Sequence, residues 1–367
     1  MSNRIFLDAP NIGAIEKKYL NKAIDSGYVS TVGPLVGEFE ERFAKYLQLK
    51  KAVSTQSGTA AIHVALHELG IGKGDEVIVP VLTFIATVNP VVQVGATPVF
   101  VDIDPETWNI DPREVEKKIT KKTKAIIPVH LYGNPCDMKE LVRISKKYGV
   151  AIIEDATESL GASFGGRPTG TFGEFGCFSF NGNKVITTGG GGMIIGKSLK
   201  KLEHAKFLVN QARDESRGYF HPEVGFNYRM TNIEAALGLA QIGRLEGFLK
   251  TKAAFNRIYR QELSAVDSIR FQKRYQGSDA SWWLTCVSFD RKINVASLQR
   301  KLKDKGIPAR RLFMPITMFP PYKQYLKGAF KNAYDIYKRG LCLPSSTLNS
   351  VESIKYVCGC IKALLNQ

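Results

Sequence analysis

An α/β fold, with a large domain built on a mainly parallel sheet and a small α+β C-terminal domain behind it, is what this sequence predicts. Three observations lead there. Short β-rich runs alternate with helical stretches from about residue 50 to residue 195, the pattern of crossover connections between parallel strands. From about residue 235 a long helical stretch replaces that alternation and opens a mixed region. The 367 residues also exceed what one average domain needs. The expected division is a large domain over 1–245, N-terminal helices included, and a small domain over 246–367.

The elements follow in chain order. Apolar residues at helical spacing predict helices over 15–26 and 36–47. Between them, Gly27 to Pro34 reads as a loop carrying hydroxyls and an aromatic ring. The strand at 52–54 leads into a helix over 59–69, the strand at 76–79 into a helix over 84–94, and a strand follows at 98–102. Next come a strand at 125–129, a helix over 138–147 and a strand at 150–153. Two more strands, 176–180 and 192–195, flank a glycine-rich loop. A single helix over 234–260 is expected to link the two domains. Beyond it lie a strand within 282–289 and helices over 295–305 and 351–365.

Composition excludes several classes. No apolar run approaches the length of a membrane span, and Met1-Ser2-Asn3-Arg4 lacks the layout of a signal peptide. A cytoplasmic location without membrane partners is the expectation. Six cysteines are scattered without zinc-ribbon spacing, so reduced thiols and no metal are expected; Cys358-Gly359-Cys360 sits in an apolar helical run. The formal charge of +17 raises nucleic acid as a partner. The lysines, however, fall on several separate helix faces with no aromatic interleaving, so solvated faces are the better reading and no nucleic acid is expected. An anionic small substrate would still profit from such a field.

The chemistry centres on Lys184. It follows Ser179-Phe180-Asn181-Gly182-Asn183 and precedes Thr187-Thr188 and the run Gly189 to Gly192. Small residues on both sides leave room for a flat, phosphate-bearing group to be attached. Upstream, Val150-Ala151-Ile152-Ile153 ends in Glu154-Asp155, placing a carboxylate at the carboxyl end of a strand, where α/β ligands bind. An amine plus a fixed acid points to pyridoxal phosphate (PLP) chemistry. Gly58-Thr59 opens a helix, whose free amides suit a phosphate, although a hydroxyl residue before a helix is by itself usually just a cap.

Several ordered motifs together resemble the DegT/DnrJ/EryC1/StrS family of sugar-nucleotide aminotransferases. They are Ser57-Gly58-Thr59-Ala60-Ala61, Pro80 to Phe84, Pro128-Val129-His130-Leu131-Tyr132-Gly133, Ile153 to Ser159, the Lys184 loop, and Gly225 to Asn232. The resemblance implies the aspartate-aminotransferase-like PLP fold (fold type I). It implies Lys184 and Asp155 as catalytic residues, with cofactor contacts from Gly58, Thr59, Phe84, Glu158, Ser179 and Asn227. Asn227 would reach the neighbouring subunit's cofactor, so a homodimer with shared active sites is expected. Tyr28, Ser30, Thr31, Tyr132, Arg229 and Arg310 would bind substrate; His130 is a weak candidate.

The resemblance further implies L-glutamate as amino donor, a pyridoxamine phosphate form, and a nucleotide-linked 4-keto-6-deoxy sugar as acceptor for aminosugar biosynthesis. Two features point to different nucleotides. Gly190, where many relatives carry Glu, resembles the branches acting on UDP-linked sugars, whereas Tyr219-Phe220-His221-Pro222 resembles those using GDP. Thr317 stands where relatives often have His. Related 3-dehydratases carry His in place of the lysine, which Lys184 argues against. A PLP-bound regulatory or nucleic-acid-binding protein is the alternative of another class, favoured by charge alone.

Overall fold

The computed structural model describes residues 4–366; Met1 to Asn3, read for a leader, lie outside the described residues. A seven-stranded sheet runs in the order Val53–Thr55, Gly192–Gly196, Phe175–Ser179, Ala151–Asp155, Thr123–Ile126, Glu76–Pro80, Thr97–Val101. All pairings from Thr97–Val101 to Phe175–Ser179 are parallel. Gly192–Gly196 is antiparallel to both of its neighbours. The central strands are buried on both faces, which is why they read as unbroken Val/Ile runs.

The strand Ala151–Asp155 shows how sequence becomes placement. Successive side chains point to opposite faces of a strand, so its last two residues, both buried carboxylates, serve different ends. Glu154 accepts hydrogen bonds from the amides of Gly170, Phe172 and Gly173 at 2.5–2.8 Å and meets His130 Nε2 at 3.1 Å. It fixes the turn that leads into Phe175–Ser179. Asp155 faces the other way.

A four-stranded antiparallel sheet, Ile269–Phe271, Thr285–Phe289, Gly340–Leu343 and Arg310–Arg311, builds the C-terminal part. Its own core includes Phe255, Tyr259, Val287, Phe289, Leu302, Ile354 and Val357, joined by Ile5 from the other end of the chain. The amino-terminal segment is laid along this part: Phe6 N donates to Asn349 Oδ1 at 2.8 Å, and Ser345 N to Leu7 O at 2.7 Å.

Two helical expectations are corrected. The helix expected over 234–260 is two helices, Asn232–Ile242 and Leu245–Leu263. They part at Gly243-Arg244, where Arg244 turns to Glu16 at 2.7 Å and to Asn11. The expected division at 245/246 thus falls at the start of Leu245–Leu263, whose Phe248 joins the large core and whose Phe255 joins the small one. The helix expected over 84–94 is a short 3₁₀ turn at Ile85–Thr87 followed by Asn89–Gln93. Pro90 has no N–H to bond the carbonyl four residues back, so the first turn cannot run on. Phe84 is left in extended backbone ahead of it.

Gly192 is the point where the sheet touches the Ser57–Gly58 turn. A Cβ there would lie 2.5 Å from Ser57 C and 2.7 Å from Gly58 N. Replacing Gly192 by Ala is expected to lower the unfolding free energy by about 1–3 kcal/mol through overpacking against backbone. Urea denaturation followed by circular dichroism measures this; an unmoved midpoint would mean that the turn yields freely.

Candidate active site

A cavity of about 260 Å³ opens at the carboxyl ends of the parallel strands. Its lining includes Gly58, Thr59, Phe84, Asp155, Glu158, Ser179, Lys184 and Arg310. These eight, scattered over some 250 residues of sequence, are brought together by the fold.

Lys184 sits on the loop between Phe175–Ser179 and Gly192–Gly196. The base of that loop is pinned by Phe180, whose ring meets Phe39 at 5.3 Å and Phe43 at 5.5 Å in edge contacts. Thr187 Oγ1 returns to Phe180 O at 3.1 Å, and Trp283 Nε1 donates to Asn183 O at 2.5 Å. The lysine stem is therefore held from both sides. Its Nζ lies 3.8 Å from Glu158 Oε1 and 4.2 Å from the centre of the Trp283 ring. Burial disfavours the ammonium, and outweighs the pull of Glu158 and Asp155, so the pKa of Lys184 is lowered. A lysine so placed is a nucleophile and a base closer to neutral pH.

Asp155 is anchored at both oxygens. Thr87 donates to Oδ2 at 2.7 Å, and Thr157 donates to Oδ1 at 2.7 Å. Neither threonine was legible as a site residue in the sequence. Glu158 is buried beside Lys184 and takes the Tyr132 amide at 2.7 Å. Burial pushes its carboxyl up from 4.5 to about 7, against the opposing charge of Lys184.

Opposite Asp155, the helix Gly58–Glu68 points its N-terminus at the cavity. Ser57 caps it, accepting from Ala60 N at 3.1 Å. A Cβ on Gly58 would lie 2.8 Å from Thr157 Cγ2 and 2.9 Å from Ser179 Cβ, so glycine is what lets these three walls converge. The result is a small cradle of hydroxyls at the positive end of a helix, a setting for a phosphate. Phe84, half exposed, stands over the mouth against Phe313 at 5.4 Å.

Arg310 approaches from the small sheet. Its Nη1 donates to Asp8 Oδ2 at 3.0 Å, the same oxygen that takes Asn183 Nδ2 at 3.0 Å. Buried Nε and Nη2 of Arg310 have no partner. An orphaned guanidinium edge on a cavity wall is a seat for an anionic group. Asp8, Asn183 and Trp283 were missed in the sequence because their roles arise from contacts 100 or more residues away.

Other expected residues lie elsewhere. Tyr132 is a correction: it is 1% exposed and does not line the cavity. Its hydroxyl accepts Phe313 N at 2.8 Å and its ring stacks near Phe313 and Trp283, so it braces the wall from behind. His130 is structural, its Nδ1 accepting Cys136 N at 3.0 Å and its Nε2 turned to Glu154. Tyr28, Ser30, Thr31, Asn227 and Arg229 do not line this cavity either. Of these, Tyr28 and Ser30 are tied to the start of the helix Asn232–Ile242 by Asn232, which donates to Tyr28 O at 2.7 Å and to Ser30 O at 2.6 Å. Arg229 Nε is buried without a partner. Gly190 has its own explanation, since a side chain there would start 3.0 Å from Glu234 Oε1. A glutamate at 190 would set two carboxylates against each other.

A family model for DegT/DnrJ/EryC1/StrS aminotransferases matches residues 10–362. The GDP-perosamine synthase of Vibrio cholerae is 39% identical over 360 residues, covering 97% of this chain and 98% of that protein. The spore coat polysaccharide biosynthesis protein SpsC of Bacillus subtilis is 34% identical, covering 91% and 90%. Among solved structures, Spr1654 from Streptococcus pneumoniae in its PLP-form superposes with a TM-score of 0.94 at 28% identity, covering 99% of each chain.

The raised pKa of Glu158 has a sign that can be measured. A carboxyl whose folded pKa lies above its unfolded one contributes stability that is full below about pH 4.5 and lost as pH rises through about 7. With Glu158→Gln that loss is absent. Relative to the variant, the cofactor-free parent protein is expected to lose up to about 3 kcal/mol between pH 4.5 and pH 8. Denaturant titrations across that range test it, and parallel curves for the two proteins would contradict the assignment.

Proposed function

The chain belongs to the DegT/DnrJ/EryC1/StrS aminotransferase family, and from that premise we propose that it moves an amino group from L-glutamate to C4 of a UDP- or GDP-linked 4-keto-6-deoxy sugar. It is a PLP-dependent aminotransferase. The observation that carries the proposal is the convergence on one cavity of a buried amine, a doubly anchored carboxylate and a capped helix N-terminus.

These residues fit the cofactor. Lys184 would hold it, Asp155 would face its ring nitrogen, Gly58, Thr59 and Ser179 would take its phosphate, and Phe84 would cover its ring. When bound, PLP supplies an electron-accepting ring on which an amino group is stored between two substrates. Asp155, fixed by Thr87 and Thr157, keeps a proton at the ring nitrogen. Lys184, its pKa lowered by burial, takes the proton from the Cα of glutamate and later delivers one to C4 of the sugar. Glu158 and Trp283 flank the amine between these steps without locking it. The unpartnered edge of Arg310 supports an anionic substrate.

The position of Tyr28, Ser30, Thr31, Asn227 and Arg229 outside the cavity supports a homodimer in which each copy lends these residues to the other's site. Asn227 is exposed and Tyr28 is half exposed in the single chain. For the nucleotide, the V. cholerae relative named GDP-perosamine synthase favours GDP, as does Tyr219-Phe220-His221-Pro222. Gly190 remains the feature that favours UDP.

Three outcomes are expected. Lys184→Ala removes the visible absorbance band of the holoenzyme and lowers transamination by roughly 10²–10⁴-fold or more; a variant that kept the band would sink the assignment. In an assay of amino transfer from glutamate to UDP-, GDP- and dTDP-linked 4-ketosugars, product forms with at least one, and inactivity on all three speaks against the C4 reading. Mixing refolded Lys184→Ala and Asn227→Ala proteins, each inactive, restores about a quarter of the parental sites if the assembly is a two-fold dimer. No recovery in the mixture would refute shared sites.

A further inference from the structure

Trp283 lines the active-site cavity, while its neighbour Trp282 lines a second concavity of about 930 Å³. That concavity lies along one side of the helix Leu245–Leu263 and the segment from Lys273 to Trp282. Its volume is within the roughly 300–1,000 Å³ of small-molecule sites. Five basic residues line it, Lys250, Arg257, Arg260, Lys273 and Arg274, against two acidic ones, Glu246 and Asp279.

The charge is compensated only in part. Lys273 pairs with Glu106 at 2.6 Å and Arg274 with Asp279 at 3.2 Å, whereas among the described residues Lys250, Arg257 and Arg260 form no ion pair. Arg260 donates to neutral acceptors, Asn256 Oδ1 at 2.9 Å and Gln272 O at 2.8 Å. The guanidiniums of Arg260 and Arg274 both lie over the Trp282 ring, 5.3 and 5.6 Å from its centre. Burial and the like charge of Arg274 depress the pKa of Arg260. Trp282 itself has φ 53°, a conformation in which a bulky side chain is strained and which collects at functional sites. Neither the cofactor nor the substrate reading uses any of this.

We propose that this groove is a second binding site, for a small molecule bearing a diphosphate group, and that its occupancy is felt at Lys184. Several unpaired cations in one concavity match a multiply charged anion of limited size. Two links lead to the active site. Trp282 is bonded directly to Trp283, whose ring lies under Lys184 Nζ. On the helix that forms the groove wall, buried Lys252 donates to Trp283 O at 3.0 Å and to Ser345 O at 2.9 Å. A ligand that shifts that helix or Trp282 moves the ring beside the reactive amine.

The test titrates the holoenzyme, at low ionic strength, with pyrophosphate and with UDP, following tryptophan fluorescence and heat. Lys250→Gln/Arg257→Gln, two exposed positions outside the active site, is expected to weaken binding roughly tenfold or more for both ligands with an unchanged melting temperature. Tighter binding of UDP than of pyrophosphate, lost in the same variant, identifies a nucleoside diphosphate as the ligand. Affinity unaltered in the variant, or sulfate binding as well as pyrophosphate at equal ionic strength, overturns the site. So does an oligonucleotide that binds more tightly than UDP with the same residue dependence. Saturation that leaves the visible spectrum of the bound cofactor unmoved overturns the link to Lys184.

Discussion

Two adjacent carboxylates at the end of one buried strand are the constraint on which the molecule turns. Glu154 is spent on architecture: three backbone amides and a histidine converge on it. Asp155, one residue on, points to the opposite face and is held by two threonines. Pleating alone separates the roles. A buried charge costs several kcal/mol unless it is met by donors, and both acids are met. Because the Glu154 cluster ties down the chain on the way to Phe175–Ser179, the strand that leads to Lys184 starts from a fixed point.

The amine is treated in the opposite way. Lys184 has a carboxylate at 3.8 Å and an indole face at 4.2 Å, neither close enough to lock an ammonium in place. Desolvation then wins and lowers its pKa. A tight ion pair would have stabilised the charged form and removed the base. Glu158 shares the same dry environment and is raised to about 7, so burial moves both groups toward neutrality against their mutual attraction.

The sequence carried the parallel sheet well because strands buried on both faces read as apolar runs, and short glycine- and proline-marked turns separated them. It also pointed to residues that the fold brings to one cavity: Lys184, Asp155 and Gly58-Thr59 lie at or just beyond strand ends and at a helix start, which local pattern reveals. What it hid was tertiary. Thr87 and Thr157 read as ordinary loop threonines until Asp155 is placed between them. Tyr132 stood in a motif that suggested contact with substrate, yet Trp283 and Phe313 close over it. The helix over 234–260 looked continuous because nothing local announces that Arg244 is needed by Glu16, 228 residues away. Gly190 was a clue to kinship in the sequence; in three dimensions it is also a matter of charge, set by Glu234.

The amino-terminal strap has a consequence in time. Phe6, Leu7, Ala9 and Asn11 bond to residues between Ser345 and Asn349, and Asp8 on the same strap holds Arg310 and Asn183. These contacts join residues far apart along the chain, Phe6 with Asn349 and Asn11 with Thr347 among them. Non-local pairings of this kind form slowly and late. The emerging polypeptide can assemble its parallel sheet and the lysine loop well before the strap has anything to lie on, so the arginine wall of the cavity is the part that waits for Ser345 to Asn349 to leave the ribosome.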